Sequence, residues 1–179
     1  MSGPRRRLTI GALTLSVCLA LSAAAVAMST VEAASAGRQV PNDQPHGVNF
    51  LVKSGVDTNF CMQGTWSGPG TQVVTQVCNG GVDGQPWVFA NTVAGPVVAL
   101  STSGYCWDAS STVGSVLRIA LCTFKGTEQF VFVSSTQQFQ NAAGSRCLTV
   151  PSSGLLAGKQ VKVEKCDATN KGQTWIFGH

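Results

Sequence analysis

The sequence predicts an all-β protein: three equivalent four-stranded units that close into one barrel with threefold pseudo-symmetry. Three observations carry that expectation. Cys78, Cys122 and Cys166 stand 44 residues apart, and so do Gly70, Gly114 and Gly158, and Gln85, Gln129 and Gln173. A fixed period of that length marks a fold made of repeated units. Each copy has a further cysteine upstream, giving Cys61/Cys78, Cys106/Cys122 and Cys147/Cys166 at separations of 17, 16 and 19. Apolar residues come in short runs divided by Gly, Ser, Thr, Asn and Pro, with no long helical period.

Residues 1–36 read as an export signal. Arg5, Arg6 and Arg7 form a positive head, and an apolar run from Leu8 to about Leu21 leads into small residues. Ala25-Val26-Ala27 and Ala34-Ser35-Ala36 both fit a cleavage site. A membrane anchor is the competing reading, because the apolar run is nearly long enough to span. Cys18 follows a lipoprotein-like Leu15-Ser16-Val17, but Val17 is too bulky for that role, so Cys18 belongs to the removed segment. Six cysteines then remain, and export to an oxidising compartment agrees with pairing them. The repeat favours one disulfide inside each copy, since only that connectivity treats all three alike.

Residues 37–47, with Pro41 and Pro45, read as a disordered leader, and residues 48–178 as one domain with repeats at about 48–91, 92–134 and 135–178. The first repeat predicts strands at Val48–Lys53, Phe60–Gly64, Gln72–Cys78 and Trp87–Asn91. The second predicts Val97–Ser101, Cys106–Ala109, Ser115–Cys122 and Phe130–Ser134. The third predicts Gln138–Ala142, Cys147–Val150, Gln160–Cys166 and Thr174–Phe177. Val161 and Val163, alternating with charged neighbours, show the period of a half-buried strand. A lone four-stranded unit exposes its edges, and closure removes them.

From residue 37 the chain carries nine basic and seven acidic residues, net +2. That balance gives no basic stripe for nucleic acid and no cationic amphipathic helix for a membrane surface.

The pattern of paired cysteines, glycine and Gln-x-Trp, repeated three times, resembles the ricin B-type lectin family. Gln85-Pro86-Trp87 and Gln173-Thr174-Trp175 keep the signature, while Gln129-Phe130-Val131 lacks the tryptophan. The resemblance implies a β-trefoil fold and a carbohydrate-binding function. It also implies that Gln85, Trp87, Gln129, Gln173 and Trp175 chiefly build the core. In that family, sugar contact comes from an Asp two residues after the first cysteine, a Gln and an aromatic four and two residues before the second, and an Asn before the Gln-x-Trp.

Carried over, the Asp position holds Gln63, Asp108 and Thr149. The Gln position holds Val74, Arg118 and Lys162, and the aromatic position Gln76, Ala120 and Glu164. The Asn position holds Gly84, Glu128 and Gly172. Only the second repeat offers a polar cluster, Asp108 with Arg118 and Glu128. The planar guanidinium can grip a hydroxyl pair. Equally, Asp108 can close a local turn or pair with Arg118. The missing ring matters, because hydrogen bonds alone compete poorly with water.

Trp66, in a Gly/Ser/Pro loop, and Tyr105, beside Cys106, are the rings able to stand in. Trp107 reads as core. Lys159, Lys162, Lys165 and Lys171 make the third repeat basic, as a solvated face or as a contact for an acidic glycan.

No catalytic constellation emerges: His46 lies in the leader, His179 ends the chain, and no phosphate loop or free cysteine is left. The expectation is a secreted, non-enzymatic carbohydrate-binding module with no metal or cofactor, and with carbohydrate or a protein as partner. The alternative is a degenerate trefoil acting as a protein-interaction module, such as a toxin subunit, inhibitor or cell-surface adaptor.

Overall fold

The computed structural model describes residues 48–64, 68–80, 84–142 and 146–178. The export signal, the leader, Trp66 and His179 lie outside the described residues. Twelve strands form where the sequence predicted them, differing only at their ends. The first repeat holds β1 (Leu51–Ser54), β2 (Phe60–Gly64), β3 (Val73–Val77) and β4 (Trp87–Thr92). The second holds β5 (Gly95–Leu100), β6 (Cys106–Asp108), β7 (Arg118–Ala120) and β8 (Phe130–Val133). The third holds β9 (Gln138–Asn141), β10 (Arg146–Thr149), β11 (Lys162–Lys165) and β12 (Trp175–Gly178). Single 3-10 turns at Gly126–Glu128 and Lys171–Gln173 precede β8 and β12.

The sheets do not follow the repeats. Each joins the last strand of one repeat to the first three of the next, giving β12-β1-β2-β3, β4-β5-β6-β7 and β8-β9-β10-β11, all antiparallel. No repeat can therefore complete its own sheet. Pairing of β1 with β12, from Leu51↔Gly178 to Ser54↔Trp175, closes the set.

The third strands meet around the pseudo-threefold axis in a ring of backbone hydrogen bonds. Val73 N–H donates to Leu117 O, Leu117 N–H to Val161 O and Val161 N–H to Val73 O, at 2.8, 2.8 and 3.0 Å. The periodic glycines serve this ring. Gly70, Gly114 and Gly158 donate to Ile119 O, Val163 O and Thr75 O, each from a left-handed backbone with φ of 90°, 85° and 70°. That conformation is one that glycine alone adopts without strain.

Alternation along the strands sends Val52, Met62, Val73, Phe89, Val98, Ile119, Leu148 and Val163 into one core with the rings of Trp87, Trp107, Trp175, Phe130 and Phe139. Trp107 is fully buried as expected, with ring centroids 5.1 Å from Trp87 and Phe139. The three disulfides are Cys61–Cys78, Cys106–Cys122 and Cys147–Cys166, one per repeat.

One expectation about the second repeat is overturned. Sheet register makes Phe130, not Val131, the counterpart of the tryptophans: Trp87, Phe130 and Trp175 pair with Leu100, Asn141 and Ser54, and Ala99, Gln140 and Lys53, one residue earlier, pair with Cys106, Cys147 and Cys61. The intervening residue is Pro86, Gln129 and Thr174, whose carbonyls accept from Ser101, Ala142 and Gly55. Gln129 is thus the middle residue of the motif, and Glu128 stands in the glutamine's place.

Hydrogen bonding says the same. The side chain of Gln85 accepts from Asn79 N–H at 2.7 Å and that of Gln173 from Asp167 N–H at 2.8 Å, while Glu128 accepts from Thr123 N–H at 2.8 Å. Residues 79, 123 and 167 each follow the second cysteine of their repeat. The loop from Cys122 to the motif is one residue shorter than its two counterparts, and this tight loop includes Phe124 with φ of 60°.

Candidate functional site

Each repeat presents a two-stranded ribbon closed by its disulfide: β2-β3, β6-β7 and β10-β11. Register sets Gln63 opposite Val74, Asp108 opposite Arg118 and Thr149 opposite Lys162. Two pairs further along, on the same face, Cys61, Cys106 and Cys147 are opposite Gln76, Ala120 and Glu164. These are the positions that carry ligands in the resembled family, so the ribbons are where a recognition surface must be sought.

On the first ribbon Gln63 accepts from the side-chain amide of Gln85 at 3.3 Å. This is the motif glutamine, which also donates to Val77 O at 2.8 Å. Trp66, the ring suggested for this end, lies outside the described residues.

On the second ribbon the expected cluster does not assemble. Glu128 is fully buried, and its two carboxylate oxygens accept from Thr123 N–H, Thr123 Oγ1 and Phe124 N–H at 2.7–2.8 Å. A carboxylate spent on three donors inside the fold is an anchor for the loop, not a ligand for a sugar. Arg118, although exposed, donates through Nη1 to Gly70 O at 2.7 Å and braces the neighbouring repeat. Asp108 pairs instead with Lys125, Oδ2 to Nζ 3.3 Å, and Lys125 reaches Glu128 at 3.9 Å. The sequence expectation of Asp108, Arg118 and Glu128 acting together is corrected by this division of partners. Tyr105 is half-buried and packs against the core, while its carbonyl accepts from Leu100 N–H.

The third ribbon carries a cleft that sequence reasoning did not single out. Its volume is about 600 Å³, and its walls are Thr149 at the end of β10, Val150, Pro151 and Ser152 just after it, Lys159 in the loop before β11, Lys162 and Glu164 on β11, and Asn170. A second cavity of about 740 Å³ adjoins it, sharing Glu164 and Asn170 and extending along Asp167 and Thr169. Lys162 and Glu164 lie two apart on one strand and so share a face. Asn170 Oδ1 accepts from Gly172 N–H at 2.9 Å and caps the last 3-10 turn, leaving its amide N–H groups without a partner among the described residues. Asp167 fixes the loop beside it: Thr169 donates from both hydroxyl and backbone, 2.7 and 2.9 Å, which lowers the Asp167 carboxyl below its usual range.

Asn170 lies beside a position where the backbone leaves no room for a side chain. Gly84 and Gly172 occupy the expected Asn position, and a Cβ there would fall 2.1 Å from the carbonyl oxygens of Gly64 and Val150. Those residues' N–H groups donate back to Gly84 O and Gly172 O at 2.8 Å. In the second repeat the equivalent bond runs from Ala109 N–H to Thr127 O, again one residue early. The sequence did hold a signal for this cleft. The disulfide loop of the third repeat spans 19 residues against 17 and 16, and the added length falls at residues 151–158, part of the cleft wall.

A family model described as the ricin-type beta-trefoil lectin domain matches residues 49–175. Among solved structures, a designed threefold-symmetric protein, ThreeFoil, aligns with TM-score 0.64 at 14% identity, covering 73% of this chain and 98% of its own. The agglutinin from Abrus precatorius aligns with TM-score 0.60 at 17% identity over 74% of this chain and 47% of its own, so the present chain corresponds to about half of that protein. The C-half of an earthworm R-type lectin, solved with GalNAc, aligns with TM-score 0.58 at 15% identity over 72% and 96%. A search of curated proteins finds no match.

Proposed function

The chain belongs to the ricin-type beta-trefoil lectin domain family, and on that premise we propose that it is an exported, non-enzymatic carbohydrate-binding module that recognises a glycan or polysaccharide outside the cell. The observation that carries this reading is the cleft on the third ribbon, built at the family's ligand positions. Its groups suit a polyol. Glu164 accepts from hydroxyls, while Lys162 and the unpartnered Asn170 amide donate to them. Exposed Pro151 adds apolar surface where the usual ring is missing. Asp108, at the edge of the second ribbon, is a second point of contact. The positive head and apolar run of residues 1–36 support export.

A glycan array on residues 37–179 tests the reading. Asn170→Ala and Glu164→Gln are expected to remove most of the signal, and Asp108→Ala a smaller part. Binding to no glycan or polysaccharide at all would overturn it.

One observation favours a second reading: none of the three ring positions, Gln76, Ala120 and Glu164, is aromatic. A protein-interaction module needs no such ring. Direct capture of a defined protein partner that free sugars do not weaken would select it.

A further inference from the structure

The charge of this domain is not spread evenly. Residues 135–178 carry five basic residues, Arg146, Lys159, Lys162, Lys165 and Lys171, against Glu164 and Asp167, net +3. Residues 37–134 carry four basic and five acidic residues, net −1. The ion pairs among the described residues are those of Lys125 with Asp108 and Glu128, so no lysine of the third repeat is neutralised by one. Two of these unpaired lysines, Lys159 and Lys162, line the cleft, and the place where a neutral-sugar site would keep a stacking ring is taken by Glu164 on the same wall.

We propose that the third-ribbon cleft selects an anionic saccharide, one bearing a carboxylate or a sulfate. The inference rests on the carbohydrate reading above and specifies its ligand. Without a ring, affinity must come from elsewhere, and hydrogen bonds to a charged group are about twice as strong as neutral ones. The order of residues along the chain gives the cleft two ends. Lys159 and Lys162 form the cationic end and hold the acid group. Glu164, opposite Cys147, lies towards the disulfide with Asn170 nearby on the shared wall, and there it repels a second anion and accepts from hydroxyls. A saccharide with one acid group and free neighbouring hydroxyls satisfies both ends. A uniformly neutral sugar leaves two ammonium groups unused, and a cationic one meets them as like charges.

The test measures binding of the mature chain to four oligosaccharides by calorimetry: oligogalacturonate, a heparin fragment, a neutral galacto-oligosaccharide and a chitosan oligomer. Oligogalacturonate or the heparin fragment is expected to bind at least about tenfold more tightly than the neutral probe, and whichever binds decides between carboxylate and sulfate. Lys159→Ala/Lys162→Ala should lower that affinity by about tenfold or more. Lys165→Ala/Lys171→Ala, which removes the same charge outside the cleft wall, should change it less than about twofold. All four lysines are exposed, so both variants are expected to fold, and an unchanged melting temperature checks this. Equal losses in the two variants would mean diffuse attraction and overturn the inference. Cleft-dependent binding with no preference for the anionic probes would overturn it too, yet leave the carbohydrate reading standing. Silence with every probe would remove both.

Discussion

Glu128 shows how one residue can look like a ligand and serve as a brace. In the first and third repeats the motif glutamine both accepts and donates: Gln85 donates to Val77 O and Gln173 to Lys165 O, each at 2.8 Å. In the shorter loop of the second repeat two successive backbone N–H groups, of Thr123 and Phe124, turn towards the same side chain. Both donate to Oε2, and the Thr123 hydroxyl donates to Oε1; an amide would put an N–H donor at one of these two oxygens and would lose the charge that strengthens all three bonds. Glu128→Gln should therefore lower stability by about 2 kcal/mol, seen as a reduced urea midpoint with an unchanged slope. Gly172 makes the opposite case. Restoring the family's asparagine by Gly172→Asn places a Cβ against Val150 O and should cost about 2 kcal/mol without strengthening sugar binding. Stability measured beside the glycan array would show whether a site had been regained instead.

Neither residue's role was legible in the sequence, and the reason lies in how the period arises. The loop after Cys122 is one residue short, the span from Glu128 to Cys147 is two residues shorter than that from Gln85 to Cys106, and the third disulfide loop is three residues longer than the second. These changes cancel, so the cysteines keep a step of 44 while the motif between them slips. The step from Gln85 to Gln129 looks regular only because a second glutamine happens to follow Glu128. The strands, the disulfides and the burial of Trp107 were legible because they depend on local alternation and on counts that the cancellation leaves intact. The cleft was not, because it depends on where the longer loop folds back.

At the scale of an element, the β10-β11 ribbon carries both a disulfide and the cleft, while β2-β3 carries a disulfide and, among the described residues, lines neither of the two cavities described above. Removing either bridge frees an unfolded loop of similar size and should cost about 3 kcal/mol. Binding separates them. Cys147→Ala/Cys166→Ala should weaken saccharide affinity at a temperature where the protein is still folded, because Thr149, Lys162 and Glu164 lose their fixed spacing. Cys61→Ala/Cys78→Ala should leave it nearly unchanged. Equal effects on binding would argue against a site confined to the third ribbon. The core offers a related comparison. Phe130 is smaller than its tryptophan counterparts, and Trp107, 5.7 Å from it, is larger than Met62 and Leu148 at the same place in the other repeats. The indole N–H groups of Trp87 and Trp175 donate to Met62 O and Leu148 O at 3.1 Å, whereas that of Trp107 is buried without an acceptor. Trp107→Leu and Phe130→Trp should each destabilise alone and compensate together, a coupling that a double-mutant cycle reads directly.

For the whole molecule, the offset between repeat and sheet decides how the domain melts. If each repeat completed its own sheet, losing the last strand would damage one third of the fold. Here β12 belongs to the sheet of the first repeat, where it pairs along the whole of β1. Trp175 is fully buried, and Phe177 packs its ring against Phe50, Phe89, Phe132 and Phe139, at centroid distances of 4.5–5.9 Å, drawn from all three repeats. Deleting residues 175–179 would strip β1 of a partner, open an edge and remove two aromatic anchors from the shared core. Large-to-small changes at single buried aromatics already cost about 3–5 kcal/mol, and a domain of this size has about 5–15 kcal/mol in all. The truncated chain should therefore lose its single cooperative calorimetric transition even with all three disulfides intact. A truncated chain that still melts sharply, within a few degrees of the full one, would mean that the repeats stand more independently than the shared sheets require.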